Sequence, residues 1–254
     1  MLQACAEGIR RRPDRAADIE ARVLALAVDP RAAKKSNDLL QAGEKDDFAL
    51  LYLRGLLATA VGNADRAEAL LRRAVDADAR FVPARVALAE IYLKSDRYDE
   101  ALTVAARADA DRPEDARLER VLGQVYDRLD DIENAELHHR AATQLDRADT
   151  ESMLALAQLY RRSDRGLQAQ RQLRVLLEKE PGHELARELL ALTYFKDGKP
   201  DVAFQEIEEL RRRSTSPTTI ARCRTLLEPA LRRDPAAGRE VLLEAMKERR
   251  QDPA

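Results

Sequence analysis

The sequence is poor in aromatic residues: phenylalanine, tyrosine and tryptophan make up 4% of its 254 residues, and tryptophan is absent. A core of large aromatic side chains is therefore excluded. Glycine and proline are also scarce, at 9 and 10 residues, and no long stretch alternates apolar with polar residues. Alanine, leucine, arginine, glutamate and aspartate are abundant instead, which favours helices. We expect an all-α protein.

The chain also lacks an excess of charge of either sign, since 44 basic residues stand against 46 acidic ones. Broad binding to nucleic acid or to a membrane surface normally needs a strong basic excess, so we expect neither. No apolar stretch is long enough to span a bilayer, and no membrane insertion is expected. The two cysteines, Cys5 and Cys223, lie near opposite ends and indicate no disulfide framework. A reducing compartment such as the cytoplasm is favoured, with the periplasm as the alternative.

Residues of one type recur every 34 positions, which indicates an internal repeat. The tyrosines at this spacing are Tyr92, Tyr126, Tyr160 and Tyr194. Small residues precede them by three positions and also occur one period earlier: Gly55, Ala89, Gly123, Ala157 and Ala191. A column of alanines follows: Ala67, Ala101, Ala135, Ala169 and Ala203. Small residues in both columns allow a first and a second helix to cross closely.

A turn is predicted between the two helices of each repeat. The residues in this column are Gly62, Asp96, Asp130, Asp164 and Gly198. Glycine and aspartate accept turn geometry, and aspartate can also cap the helix that follows.

This pattern resembles the tetratricopeptide repeat family. The resemblance covers five consecutive units of 34 residues: 48–81, 82–115, 116–149, 150–183 and 184–217. It implies an α-solenoid of antiparallel helix hairpins wound into a right-handed superhelix. Residues 14–47 and 218–254 continue the frame as degenerate units, the second as a C-terminal cap, and 1–13 read as a partial leading helix of a longer protein. We expect one solenoid domain over residues 1–254.

Two departures from the family pattern stand out. The column where the family often has a bulky residue reads Leu51, Arg85, Glu119, Met153 and Arg187. His139 occupies a position where a core apolar residue is usual.

Motifs for catalysis are missing from the sequence. There is no glycine-rich phosphate loop, no paired cysteines at metal spacing and no nucleophile elbow. His138 and His139 are adjacent, so on a helix they point about 100° apart and chelate poorly. We expect one of them to be packed and the other solvated, and His183 to be solvated in a turn. We therefore predict no enzymatic activity, no cofactor and no metal.

The family resemblance implies a concave groove, lined by first helices, that binds a partner protein or peptide. The candidate groove residues are Tyr52, Leu56, Glu90, Lys94, Arg117, Arg120, Gln124, Arg128, Gln158, Arg161, Arg162 and Lys196. They make the groove apolar at its start and basic in its middle, which suits a partner with apolar anchors and an acidic stretch. The alternative interpretation is that they are ordinary solvated charges.

Other functions stay open at this point. The leading hypothesis is an interaction scaffold within a larger, bacterial-looking protein. The alternatives are a structural module that self-associates end to end, and the recognition arm of an enzyme whose catalytic domain lies outside this chain. An RNA-binding helical repeat would need a regular base-reading code, and the groove columns show none.

Overall fold

The computed structural model describes residues 2–12, 16, 19, 47–111, 115–214, 216 and 218–219. Their regular secondary structure is entirely helical, as predicted. The helices are α1 (Leu2–Arg11), α2 (Phe48–Ala60), α3 (Ala64–Ala77), α4 (Val82–Lys94), α5 (Tyr98–Asp111), α6 (Ala116–Arg128), α7 (Ile132–Leu145), α8 (Thr150–Arg162), α9 (Gly166–Lys179), α10 (Glu184–Lys196) and α11 (Pro200–Arg213).

These helices form two compact units, Met1–Leu145 and Asp146–Ala254. In the first unit α2 pairs with α3, α4 with α5, and α6 with α7, while α1 packs on α2. The successive hairpins meet through α3 on α4, α5 on α6, and α4 on α6. In the second unit α8 pairs with α9 and α10 with α11, and α9 and α8 both contact α10.

Most of the degenerate flanking units predicted at 14–47 and 218–254 lie outside the described residues, as does Cys223. The exact number of repeats and the single-domain organisation therefore stay predictions. Cys5 is buried on α1.

The predicted turn column adopts the left-handed backbone conformation in every hairpin. The φ angles are 79° at Gly62, 57° at Asp96, 59° at Asp130, 58° at Asp164 and 70° at Gly198. Glycine and, less readily, aspartate tolerate this region, which explains the residue types in the column.

The residue after each turn donates its backbone N–H to a carbonyl five residues earlier. Four of these carbonyls belong to the tyrosine column, with N···O distances of 2.9 Å for Arg97 to Tyr92, 2.9 Å for Asp131 to Tyr126, 2.8 Å for Arg165 to Tyr160 and 2.9 Å for Lys199 to Tyr194. This bond is typical of a helix C-terminus that closes on a left-handed residue. It ends every first helix at the same position of the repeat.

In two hairpins the side chain that caps the second helix lies one residue later than predicted. Asn63 Oδ1 accepts a hydrogen bond from Arg66 N at 3.2 Å, and Asp131 Oδ1 accepts one from Asn134 N at 3.1 Å. Both follow the left-handed residue, because an N-cap residue needs a different backbone conformation.

The two helices of each hairpin meet at the small residues. All five alanines of the alanine column are 0% exposed. A Cβ added to Gly55 would lie 2.7 Å from Leu71 Cγ, and one added to Gly123 would lie 2.7 Å from His139 Nδ1. At these two crossings the absence of a Cβ leaves room for the large side chain of the second helix.

The two adjacent histidines differ from expectation, because neither is solvated. His139 is 1% exposed and fills the space beside Gly123. His138 is half-buried, bonds Glu119 Oε2 through Nδ1 at 2.8 Å and stacks on Tyr126. His183, also expected to be solvated, is half-buried and accepts a hydrogen bond from Ala186 N at 3.2 Å, which caps α10.

We predict that Gly55→Ala destabilises the protein. Helix propensity alone would stabilise this variant by about 1 kcal/mol. The shifts needed to make room for the added methyl group in a packed contact cost about 1–3 kcal/mol. We expect the steric contact with Leu71 to prevail and the free energy of unfolding in urea to fall by about 1 kcal/mol. Gly182→Ala is the control, because a Cβ there meets nothing within 4 Å. A more stable Gly55→Ala variant would contradict this close approach.

A second prediction concerns two neighbouring turn residues with opposite roles. Asp130→Gly should raise the melting temperature, because glycine adopts a φ of 59° without a steric penalty. Asp131→Ala should lower it, because the cap to Asn134 is lost.

The effect of Asp131→Ala should also depend on pH. Hydrogen bonds from the side chain and backbone of Asn134 lower the pKa of Asp131. The carboxylate therefore stabilises the fold above its unfolded-state pKa, and this stabilisation is lost as the pH falls through the folded-state pKa. Thermal melts followed by circular dichroism should show the difference from wild type shrinking in acid. A difference independent of pH would rule out the charged cap.

Candidate partner-binding surface

Neighbouring first helices lie side by side within each unit. In the first unit α4 contacts α6, and in the second unit α8 contacts α10. Their outward side chains therefore share a surface, which we call the first-helix face of each unit. The predicted residues on the first unit's face are Glu90, Lys94, Arg117, Arg120, Gln124 and Arg128; those on the second unit's face are Gln158, Arg161, Arg162 and Lys196.

The residues predicted to form the apolar start of the groove are buried. Tyr52 is 0% exposed and Leu56 is 6% exposed. The Tyr52 ring lies edge-on against Phe81, with centroids 5.1 Å apart, and Phe81 also contacts Phe48 at 5.0 Å. In this structure Tyr52 and Leu56 are buried and do not offer surface to a partner.

Two of the predicted residues pair with each other across α4 and α6. Arg117 donates from Nε to Glu90 Oε1 and from Nη2 to Glu90 Oε2, both at 2.8 Å. This bidentate geometry is the strong form of an arginine–carboxylate contact. The side chains are 30% and 25% exposed, so the pair lies at the surface. It joins adjacent hairpins and neutralises one charge of the predicted basic stretch.

The other predicted residues on the first unit's face differ in exposure. Lys94 and Arg128 are exposed at the C-terminal ends of α4 and α6, whereas Arg120 and Gln124 are half-buried. Arg128 also reaches Tyr98. Tyr98 donates to Asp96 Oδ1 at 2.5 Å, which raises the pKa of its hydroxyl, and the hydrogen bond with Arg128 opposes that shift.

In the second unit, a charge on one first helix influences a group on the next. Arg161 on α8 is half-buried, and burial lowers the pKa of its guanidinium, while the negative charge of Glu188 on α10 opposes that shift. Lys196 Nζ lies 2.6 Å from Asp164 Oδ1 in the turn after α8. Gln158 and Arg162 are exposed.

Sequence reasoning assigned Asp164 only to the turn and Glu188 only to a groove column of the fifth repeat. Both were missed as ionic partners because the 34-residue period places residues within a hairpin, whereas these contacts depend on how one hairpin meets the next. The only sequence signal for these two interactions was the presence of opposite charges about one repeat apart.

Two other kinds of site are absent from the described part of the chain. It holds no group of three or more His, Cys, Asp or Glu side chains that could bind a metal. None of its helices combines the length and apolar character needed to cross a membrane.

Comparison with known proteins agrees with the geometry of the hairpins. Residues 58–125 match the family model of the tetratricopeptide repeat. No curated protein sequence matches the chain. The fold is nevertheless that of tetratricopeptide repeat proteins, as comparison with solved structures shows.

Three of these structures illustrate the likeness. YrrB, described as a TPR protein with an unusual peptide-binding site, superposes with a TM-score of 0.59 at 20% identity, over 72% of this chain and 94% of YrrB. MamA superposes with a TM-score of 0.59 at 18% identity, over 63% of this chain and 93% of MamA. TTC0263, a thermophilic TPR protein of Thermus thermophilus, superposes with a TM-score of 0.56 at 20% identity, over 71% of this chain and 98% of TTC0263.

The Glu90–Arg117 pair can be tested by a double-mutant cycle. Glu90→Ala, Arg117→Ala and the double variant should reveal a coupling free energy of about 1 kcal/mol in urea unfolding, at the upper end for surface pairs because the contact is bidentate. The coupling should decrease at high salt. Glu136 and Arg140, one turn apart on α7 at 3.6 Å, provide a control cycle expected to give about 0.3–0.5 kcal/mol. No excess coupling for Glu90 and Arg117 would mean that the pair does not join α4 to α6 in solution.

Proposed function

We propose that this chain is a non-catalytic interaction scaffold that binds an extended segment of a partner protein on its first-helix faces. The observation that carries the proposal is the bidentate pair of Glu90 and Arg117, which joins charged side chains of neighbouring first helices. This pair, together with the charge of Glu188 that acts on Arg161 in the second unit, supports the proposal that groove positions of successive hairpins share a surface. Repeat proteins use such extended surfaces to bind partners.

The partner's chemistry follows from the side chains on each face. On the first unit's face Arg117 is already paired with Glu90, and Lys94, Arg120 and Arg128 are the further cations that a partner can approach. Such a cluster favours carboxylates, and arginine can bind them in a bidentate manner. The first unit is therefore proposed to recognise an acidic stretch.

The second unit adds apolar contacts to its cations. Leu154, Leu192 and Phe195 are half-buried on α8 and α10, so each retains some surface for a partner. Phe195 is held edge-on against Phe204, with ring centroids 5.5 Å apart. We propose that apolar anchors of the partner dock here, rather than at the buried Tyr52 and Leu56.

Fold-level analogy also supports a binding role. YrrB has the same fold, and its structure is described as having a peptide-binding site. Function does not follow from fold alone, so the charged faces carry the specific part of the proposal. A recognition arm within a larger protein would use the same surfaces.

The proposal predicts that partner capture depends on the first-helix faces. Immobilised wild-type chain should retain a partner from a lysate of the source organism, identified by quantitative mass spectrometry. Arg120→Glu in the first unit and Arg161→Glu in the second should each reduce its recovery by about fivefold or more, because a favourable charge contact becomes repulsive. Recovery should also fall as salt is raised from low to physiological concentration.

Matched controls separate binding from folding. Arg140→Glu on α7 and Arg171→Glu on α9 reverse exposed charges on second helices, and capture by these variants should equal that of the wild type. Circular dichroism must show unchanged helicity and melting for every variant. Equal capture by all folded variants would refute the assignment of the first-helix faces.

A further inference from the structure

A cleft lies between α3 and α5 on the first unit. It consists of two adjoining cavities of about 440 Å³ and about 290 Å³ that share Val75, Asp76, Val104 and Arg107. The larger cavity is also lined by Arg72, Leu88 and Tyr92, and the smaller by Ala79 and Arg85. The walls come from the second helices α3 and α5, and α4 forms the floor. We call this feature the α3–α5 cleft.

The cleft is separate from the first-helix face. Leu88 and Tyr92 line the cleft, and Glu90 and Lys94 follow them by two residues each. Two residues correspond to about 200° around a helix, so these pairs lie on opposite sides of α4. A ligand in the cleft would therefore leave the proposed partner-binding surface uncovered.

The interior of the cleft is aliphatic. Leu88 and Tyr92 are buried in the floor, whereas Val75 and Val104 are half-buried on opposite walls. The larger cavity falls within the range of roughly 300–1,000 Å³ that is usual for binding pockets. It is large enough for an aliphatic side chain together with part of its backbone.

The rim of the cleft is mainly cationic. Arg72 is 59% exposed and lies 3.5 Å from Glu68, a carboxylate that also lies 2.8 Å from Arg97. Arg107 is exposed and lines both cavities, and its carbonyl oxygen accepts a hydrogen bond from Arg85 Nη1 at 2.8 Å. That bond fixes the backbone of α5 against α4.

Among the described lining residues, Asp76 on α3 is the carboxylate, and it lines both cavities. It would repel a ligand densely charged with phosphate, and it can accept a hydrogen bond from a backbone N–H. The charges of the cleft thus favour a ligand that carries separated carboxylates and backbone donors.

We propose that the α3–α5 cleft is a second docking site, which binds a segment of a partner protein in which carboxylates flank an aliphatic residue. The aliphatic side chain lies between Val75 and Val104 above Leu88. Carboxylates on either side pair with Arg72 and Arg107, where arginine geometry permits bidentate contacts.

The test uses a synthetic peptide, acetyl-aspartyl-leucyl-aspartyl amide, and methyl NMR of the valines. Saturable shifts are expected at Val75 and Val104, whose signals are assigned from Val75→Ile and Val104→Ile. The affinity for the charge-swapped lysyl-leucyl-lysyl peptide should be lower by a factor of about five or more. Arg72→Glu or Arg107→Glu should lower the affinity for the acidic peptide by a similar factor.

Arg140→Glu is a matched control for Arg72→Glu. Both arginines are 59% exposed, and each lies near a glutamate one turn earlier, at 3.6 Å and 3.5 Å respectively. Arg140→Glu should leave the peptide affinity unchanged. Circular dichroism confirms folding of each variant.

Two outcomes would overturn the proposal. One is the absence of saturable shifts at Val75 and Val104. If the peptide instead perturbs only signals near Lys94 and Arg120, the acidic peptide binds at the first-helix face and not in the cleft. The other is equal binding of the acidic and basic peptides, which would remove the role of Arg72 and Arg107.

Discussion

Every hairpin of this protein depends on the close crossing of two helices at small side chains. Where the first helix carries glycine, the second fills the gap with a large side chain: Leu71 opposite Gly55, and His139 opposite Gly123. Alanine at the next crossing point is buried in all five hairpins. Because side-chain volume at the crossing sets the distance between helix axes, the same small columns repeat one hairpin geometry. Neighbouring first helices then meet in a regular way, and their side chains form shared faces.

Polar contacts also join the two helices of a hairpin. The column that usually holds a bulky residue contains Arg85, Glu119 and Arg187, each of which bonds the second helix of its own hairpin: Arg85 to the Arg107 carbonyl, Glu119 to His138, and Arg187 to Glu206. Directional bonds thus replace part of the apolar packing. Turn arginines add to this, since Arg97 and Arg165 lie over the rings of Tyr92 and Tyr160 at 4.3 Å and 4.5 Å. Such contacts have specific geometry and fix how the helices of a hairpin are aligned.

The sequence was sufficient to predict the fold but not the surface chemistry. A period of 34 residues located the hairpins, and the residue types in the turn column predicted a turn geometry that Asp96, Asp130 and Asp164 adopt with a left-handed backbone. The period could not show that Tyr52 is buried, that Arg117 pairs with Glu90, or that neither His138 nor His139 is solvated. Those outcomes depend on the packing of one hairpin against another and on side-chain rotamers, which a one-dimensional pattern does not contain. The α3–α5 cleft was missed for the same reason.

The Glu90–Arg117 pair has a consequence for recognition on the first unit's face. A partner carboxylate that approaches Arg117 must compete with a carboxylate already bound in bidentate geometry, so little affinity can come from this arginine. In the proposed binding mode the exposed Lys94 and Arg128, at the C-terminal ends of α4 and α6, would contribute more, whereas Glu90, one turn before Lys94, would repel acidic groups close to the pair. The pair therefore joins adjacent hairpins and limits where on the proposed surface an acidic segment can lie. Specificity arises here as much from the repulsive group as from the attractive ones.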